Sequence, residues 1–116
     1  MEPIPYYFDN VRRCAMVLKP KKPFLDWLSQ IDPESGEFDI LSDTDVYLLP
    51  DFETLEELEI WLADNFHNIF EDQLNNWYTD ESLWVQNRTF QLFKEWFEYT
   101  LHTMVWDTLE TDIDKV

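Results

Sequence analysis

Apolar residues recur along the chain with two different periods, and these periods predict alternating strands and helices. A short apolar run over Arg13–Lys19, closed by a proline, predicts a buried strand. Pro23 suits the first turn of a helix over Phe24–Ile31, because the backbone N–H that it removes would have no partner there. Val46–Leu49 is predicted as a second strand. The loop before it contains a possible short extended piece at Phe38–Leu41.

The strongest helical pattern begins at Thr54. Thr54 and Glu57 form a capping box, in which each side chain satisfies a backbone N–H at the helix start. Apolar residues follow at helical spacing: Leu55, Leu58, Leu62, Phe66 and Ile69. We expect the helix to extend to about Asn75, with Asn75–Asn76 supplying a left-handed cap.

The last part of the chain predicts a third helix and a final strand. Asn87 is the predicted cap of a helix with four aromatic residues on one side: Phe90, Phe93, Trp96 and Phe97. Apolar positions alternate from Glu98 to Trp106, which indicates a strand, and a helix continued to Trp106 is the competing interpretation. The order β-α-β-α-α-β predicts an α+β fold. In this α/β sandwich, about three helices cover one face of a three- or four-stranded sheet. Residues 1–116 are expected to form one domain with a frayed tail over 107–116.

The charge is far from that of an ordinary small domain. The formal net charge is −17, and residues 23–87 contain 17 Asp and Glu but neither Lys nor Arg. Because 45% of all residues are apolar, these acids are expected on the surface of a folded scaffold, not in a disordered tail. Phosphate binding needs clustered Lys and Arg, so the charge argues against direct contact with nucleic acid or anionic membranes.

The small numbers of cysteine, glycine and histidine residues limit the kinds of functional site that the chain can form. The single cysteine, Cys14, allows no intramolecular disulfide, and with no signal-peptide pattern it predicts a cytoplasmic protein. Apolar neighbours predict that Cys14 is buried. Loops that bind phosphate groups need several glycines, and this chain has only one, Gly36. His67 and His102 lack a metal-ligand spacing, so we expect no metal and no other cofactor.

Three aspartates form a loose cluster that resembles a cation site. They are Asp43, Asp45 and Asp51. Counted from the first of them, Leu48 and Thr54 stand where an EF-hand loop needs glycine and glutamate. A solvated loop is therefore the favoured interpretation.

The long helix predicts a more specific surface. With Leu62 at the centre of the buried face, Glu57, Asp64 and Glu71 point outward at steps of seven residues, or about 10 Å. Ile60 lies among these acids, none of which is expected to be needed for folding the helix. The row is either a solvated helix face or a docking surface for a basic partner.

An aromatic loop follows the long helix. Asp80 and Glu81 are surrounded by Trp77, Tyr78, Leu83 and Trp84. These aromatic side chains either fill the core or form a recognition patch that receives Arg or Lys through cation–π and ionic contacts.

Four stretches resemble a family of small acidic bacterial proteins with no assigned activity. These stretches are Val17–Leu28, Trp77–Trp84, Gln86–Phe90, and Trp96–Phe97 ahead of His102. The resemblance implies a compact bacterial cytosolic protein, and it transfers no cofactor and no catalytic residue. The family more often has proline where this chain has Val85.

The function favoured by these observations is non-enzymatic. We expect an interaction module that binds a basic protein, such as a nucleic-acid-binding protein, because a negative surface accelerates association with positive partners. It could be an inhibitor, an immunity-type protein or a mimic of nucleic-acid charge. A close mimic needs finer spacing than about 10 Å, since DNA places a phosphate every 3.4 Å per strand. The alternative is a carboxylate-dependent enzyme or a small-ligand-binding protein, with no catalytic residue assigned.

Overall fold

The computed structural model describes residues 9–33, 44–109 and 113. Its strands are β1 (Asp9–Asn10), β2 (Cys14–Pro20), β3 (Asp45–Leu49), β4 (Phe97–His102) and β5 (Trp106–Asp107). Its helices are α1 (Lys22–Ile31), α2 (Leu55–Asn75) and α3 (Phe90–Trp96), with a 3₁₀ turn at Glu81–Leu83. The predicted mixed architecture and its order are confirmed. The piece predicted at Phe38–Leu41 lies outside the described residues, as does most of the predicted tail.

The central sheet is three-stranded and antiparallel, in the order β3-β2-β4. Its two pairings place Met16 opposite Tyr47 on one side and opposite Leu101 on the other. Side chains alternate along β2, so Cys14, Met16 and Leu18 are buried beneath the helices. A separate two-stranded ribbon joins β1 to β5.

Cys14 is buried, as predicted. Its Sγ accepts a hydrogen bond from the Phe52 N–H at 3.3 Å and lies 3.5 Å from the Phe52 carbonyl oxygen. The thiol therefore ties the central strand to the loop before α2.

An aromatic cluster joins the helices to the sheet. The Phe70 ring lies 5.4 Å from that of Phe97 and 5.9 Å from that of Phe93, measured between centroids. Phe24 of α1 lies 5.3 Å from Phe97, and Phe93 of α3 lies 5.2 Å from it. Aromatic pairs at such distances contribute about 0.5–1.5 kcal/mol beyond the area they bury. Phe97 is thus held by all three helices.

Helix α2 begins and ends where predicted, but its C-terminal cap has a different conformation. Thr54 Oγ1 accepts a hydrogen bond from the Glu57 N–H at 3.2 Å, which confirms the cap. The predicted left-handed cap is wrong, because Asn76 has right-handed angles of φ −65° and ψ −21°. The N–H groups of Trp77 and Tyr78 both bond to the Leu74 carbonyl, so a tightened last turn satisfies the backbone without a left-handed residue.

The cap predicted for α3 is also displaced. Asn87 adopts φ 56° before the helix, a conformation that Asn tolerates better than most residues. The cap is Thr89, whose hydroxyl oxygen accepts from the Leu92 N–H at 3.1 Å. The final segment is a strand and not a continued helix, since β4 follows α3 directly and pairs with β2. It stops at His102, before the predicted end at Trp106.

Replacing Thr54 with alanine should lower the free energy of unfolding by about 1 kcal/mol, because the Glu57 N–H then loses its acceptor. Urea unfolding monitored by circular dichroism measures this. The control is Thr54→Ser, which keeps the hydroxyl and should remain near wild type. Equal midpoints and slopes for Thr54→Ala and wild type would show that the cap does not stabilise α2.

Candidate functional site

The outward row predicted on α2 is present. Glu57 and Asp64 are exposed, and the Ile60 side chain between them is 65% exposed. The opposite side of the helix is buried against the core through Leu58, Leu62, Phe66, Ile69, Phe70 and Leu74. We call the row Glu57, Ile60, Asp64 and Glu71 the α2 acidic face.

Glu57 and Asp64 differ in what they contribute to the helix. Glu57 lies in the first turn, where the helix dipole favours a negative charge. Asp64 lies mid-helix, where aspartate is a poor helix former, and no hydrogen bond or ion pair reaches it from the residues that the structure describes. The helix dipole therefore explains an acidic residue at Glu57, whereas no contact among the described residues explains one at Asp64.

Glu71 is not a free acid. The Arg88 guanidinium donates to its carboxylate at 3.0 Å and to the Val85 carbonyl at 2.7 Å. The Arg88 side chain is only 19% exposed and lies over the Trp84 ring at 5.8 Å. Within the described ranges, Glu71 is the one acid held by an Arg or Lys in this way. This ion pair links the loop before α3 to α2, so we expect Glu71, unlike the other acids of the row, to contribute to stability.

The aromatic loop is divided between the core and the surface. Trp84 is 9% exposed and donates its indole N–H to the Tyr78 carbonyl at 2.7 Å. Tyr78 packs edge-on against Trp27 at 5.6 Å between centroids. These two side chains fill the core, as one of the two interpretations expected. Trp77 is 38% exposed and remains available to a partner.

Asp80 organises the short turn inside this loop. Its carboxylate accepts from the Ser82 hydroxyl at 2.7 Å and from the Ser82 N–H at 3.0 Å. These two bonds hold the pKa of Asp80 below its usual value. The carboxylate thus fixes the turn that places Trp84 against the core and presents the Leu83 carbonyl to the Trp27 indole N–H.

The remaining candidates lie apart from one another. His67 and His102 are both exposed, and the His102 ring contacts the Thr100 hydroxyl at 2.9 Å. No three His, Cys, Asp or Glu side chains in the described ranges approach as a metal site would require. Asp43 lies outside those ranges, Asp51 is exposed, and Asp45 accepts a hydrogen bond from Gln73.

Sequence reasoning missed a polar network between β3 and α2. Gln73 is 6% exposed and donates to Asp45 at 2.7 Å and to the Tyr47 hydroxyl at 2.8 Å. Tyr47 in turn donates to Asp72 at 2.7 Å. Burial, together with the bond to Asp72, raises the pKa of Tyr47 well above its usual value, so the phenol stays protonated. The available signal was Gln73 itself, a polar residue on the leucine and aromatic side of α2.

A second tyrosine links the sheet to α2. The Tyr99 hydroxyl donates to the Glu59 carboxylate, and the pKa of Tyr99 is raised by burial and by this bond. Tyr47 and Tyr99 therefore attach both edge strands to one helix, and the side of α2 between them is engaged in the fold.

Comparison of the chain with protein-family models, curated proteins and solved structures finds no match. No helix in the described part of the chain has the length and apolar content needed to cross a membrane. The resemblance to small acidic bacterial proteins stays a prediction. Function therefore has to be inferred from the surface of the chain itself.

Neutralising Glu71 and neutralising Asp64 should affect stability differently. We expect Glu71→Gln to lower the free energy of unfolding by about 1 kcal/mol, because it leaves a largely buried guanidinium without its anion. Asp64→Asn removes the same charge from an unpartnered site and should change stability by less than about 0.5 kcal/mol. Urea unfolding of both variants at neutral pH makes the comparison, and equal losses would contradict the assigned role of Glu71.

Proposed function

We propose that this protein is a non-enzymatic interaction module that binds a basic protein through the α2 acidic face. The observation that carries the proposal is the combination of Ile60, an exposed apolar side chain, with Asp64, a mid-helix acid that has no hydrogen-bond or ion-pair partner among the described residues. An apolar centre with a charged surround is the usual composition of a protein–protein contact. Glu57 adds a second exposed acid, two helical turns before Asp64 on the same face of α2.

Charge supports a positive partner. A net charge of −17 repels nucleic acid, anionic membranes and other copies of this chain, while it attracts basic proteins over long range. Proteins that bind nucleic acids are the natural class of partner, and the module would act on them as an inhibitor or an immunity-type protein. The acids of the α2 acidic face are about 10 Å apart, which is too far to imitate the phosphate spacing of DNA closely. This spacing favours recognition of individual basic side chains.

The cysteine favours the cytoplasm as the compartment. Cys14 is a free thiol, fully buried beneath α2, and it behaves as a small apolar side chain. The resemblance to small acidic bacterial proteins also leads us to expect a cytoplasmic bacterial protein. A carboxylate-dependent enzyme remains the alternative, and it becomes the better account if no basic partner exists.

The proposal is tested by comparing two variants that lose equal charge. Glu57→Gln with Asp64→Asn changes the α2 acidic face, and Asp26→Asn with Asp51→Asn removes two exposed acids elsewhere. Wild type and both variants are used as bait in lysate of the source cells, and bound proteins are quantified by mass spectrometry. We expect a basic protein captured by wild type and by the control variant, and at least about tenfold less by the α2 variant.

Salt dependence separates recognition from general attraction. The purified partner should bind wild type more weakly as salt rises from about 0.05 M to 0.5 M, because exposed charges become screened. Ile60→Ala should weaken binding at both salt concentrations, since its contribution is apolar. If the two charge variants lose partner binding equally, the effect comes from net charge and not from the α2 acidic face. If no basic partner is captured even at low salt, the proposal is overturned.

A further inference from the structure

A cavity lies at the C-terminal end of α2, away from the α2 acidic face. Its volume is about 380 Å³, and its lining includes Asp45 from β3, Gln73 and Asn76 from the end of α2, and the exposed Trp77. Phe24, a buried residue of the aromatic cluster, also lines it. The cavity thus brings together a carboxylate, two amides and an indole.

The carboxylate in this cavity is held in place. Gln73 has both amide hydrogens engaged, one with Asp45 and the other with the Tyr47 hydroxyl. Tyr47 is fixed in turn by Asp72. Asp45 accepts the Gln73 bond through Oδ2 alone, so its carboxylate is held in place while the residue stays exposed at the cavity.

Two further features make the cavity favourable for a cation. The C-terminal end of a helix carries partial negative charge, and α2 has no basic side chain in its last turn to offset it. Indole faces attract cations, and Trp77 is 38% exposed at the same cavity. An exposed carboxylate held by the buried Gln73, a helix C-terminus and an aromatic face therefore favour a cationic ligand.

We propose that the Asp45–Trp77 cavity binds the guanidinium group of an arginine side chain from the basic partner. A guanidinium suits these groups better than an ammonium, because it is planar, stacks on aromatic rings and donates to carboxylate and amide oxygens together. The proposal rests on the proposed function, since the partner supplies the arginine. It adds a second contact, about one helix length from Glu57, that selects the partner by a single side chain.

The test uses defined peptides and the full chain labelled with ¹⁵N. The blocked peptide acetyl-Gly-Arg-Gly-amide is titrated while the Trp77 indole N–H resonance is followed, assigned by its loss in Trp77→Phe. The same peptide with citrulline is the neutral control of equal shape. We expect a saturable shift with arginine and none with citrulline.

Variants identify the groups responsible. Asp45→Asn keeps an oxygen to accept from Gln73 but loses the charge, so it should weaken arginine binding about threefold to tenfold, as should Trp77→Ala. For Trp77→Ala, binding is followed on the Asn76 and Gln73 side-chain amides. Asp51→Asn loses the same charge outside the cavity and should bind like wild type. Equal weakening by Asp45→Asn and Asp51→Asn would overturn the proposal.

The outcomes also separate this proposal from the proposed function. The variant Glu57→Gln with Asp64→Asn should retain the peptide response at Trp77, because the cavity lies elsewhere on α2. If a basic partner is captured but arginine peptide leaves Trp77 unchanged, the cavity proposal fails and the α2 acidic face stands. Saturation by agmatine without any response to the peptide would assign the cavity to a small free guanidinium compound, and it would also overturn the proposal.

Discussion

Burial of the inner side of α2 against the sheet and the aromatic cluster is the constraint on which the rest of this structure depends. Phe70 contacts Phe93, Trp96 and Phe97, so one residue of α2 meets both α3 and β4. Because these rings must reach the core, α3 passes into β4 without a loop, and the segment after α2 folds back to bring Trp84 inward. Apolar burial of this extent opposes the self-repulsion of a chain with net charge −17.

The same constraint leaves the outer side of α2 free for another use. Its acids are not equivalent, since Glu57 suits the helix start and Glu71 holds Arg88, while Asp64 has no structural partner among the described residues. Function is best sought at positions that the fold does not explain. Asp64 with Ile60 satisfies this criterion on the α2 acidic face, and Trp77 satisfies it at the end of the helix.

Much of the fold could be predicted from local patterns. The capping box at Thr54 and the alternation after Phe97 are local signals; the start of α2 is as predicted, and β4 is a strand as predicted but ends at His102. Local patterns do not predict the right-handed conformation of Asn76, the cap of α3 at Thr89 or the Arg88–Glu71 ion pair beside that cap. That ion pair spans 17 residues, and no spacing rule along one element connects its members. The network around Gln73 joins a strand to a helix in the same way.

The most direct test of this account observes Ile60 itself while a basic partner binds. Protein labelled at isoleucine δ1-methyl groups is titrated with the captured partner and followed by methyl NMR. Ile69 lies on the opposite, buried side of α2 and serves as the internal reference. The account predicts that the Ile60 methyl signal shifts and saturates with the partner while Ile69 stays nearly unchanged. An unchanged Ile60 signal at saturating partner would contradict the assignment of the α2 acidic face as the binding surface.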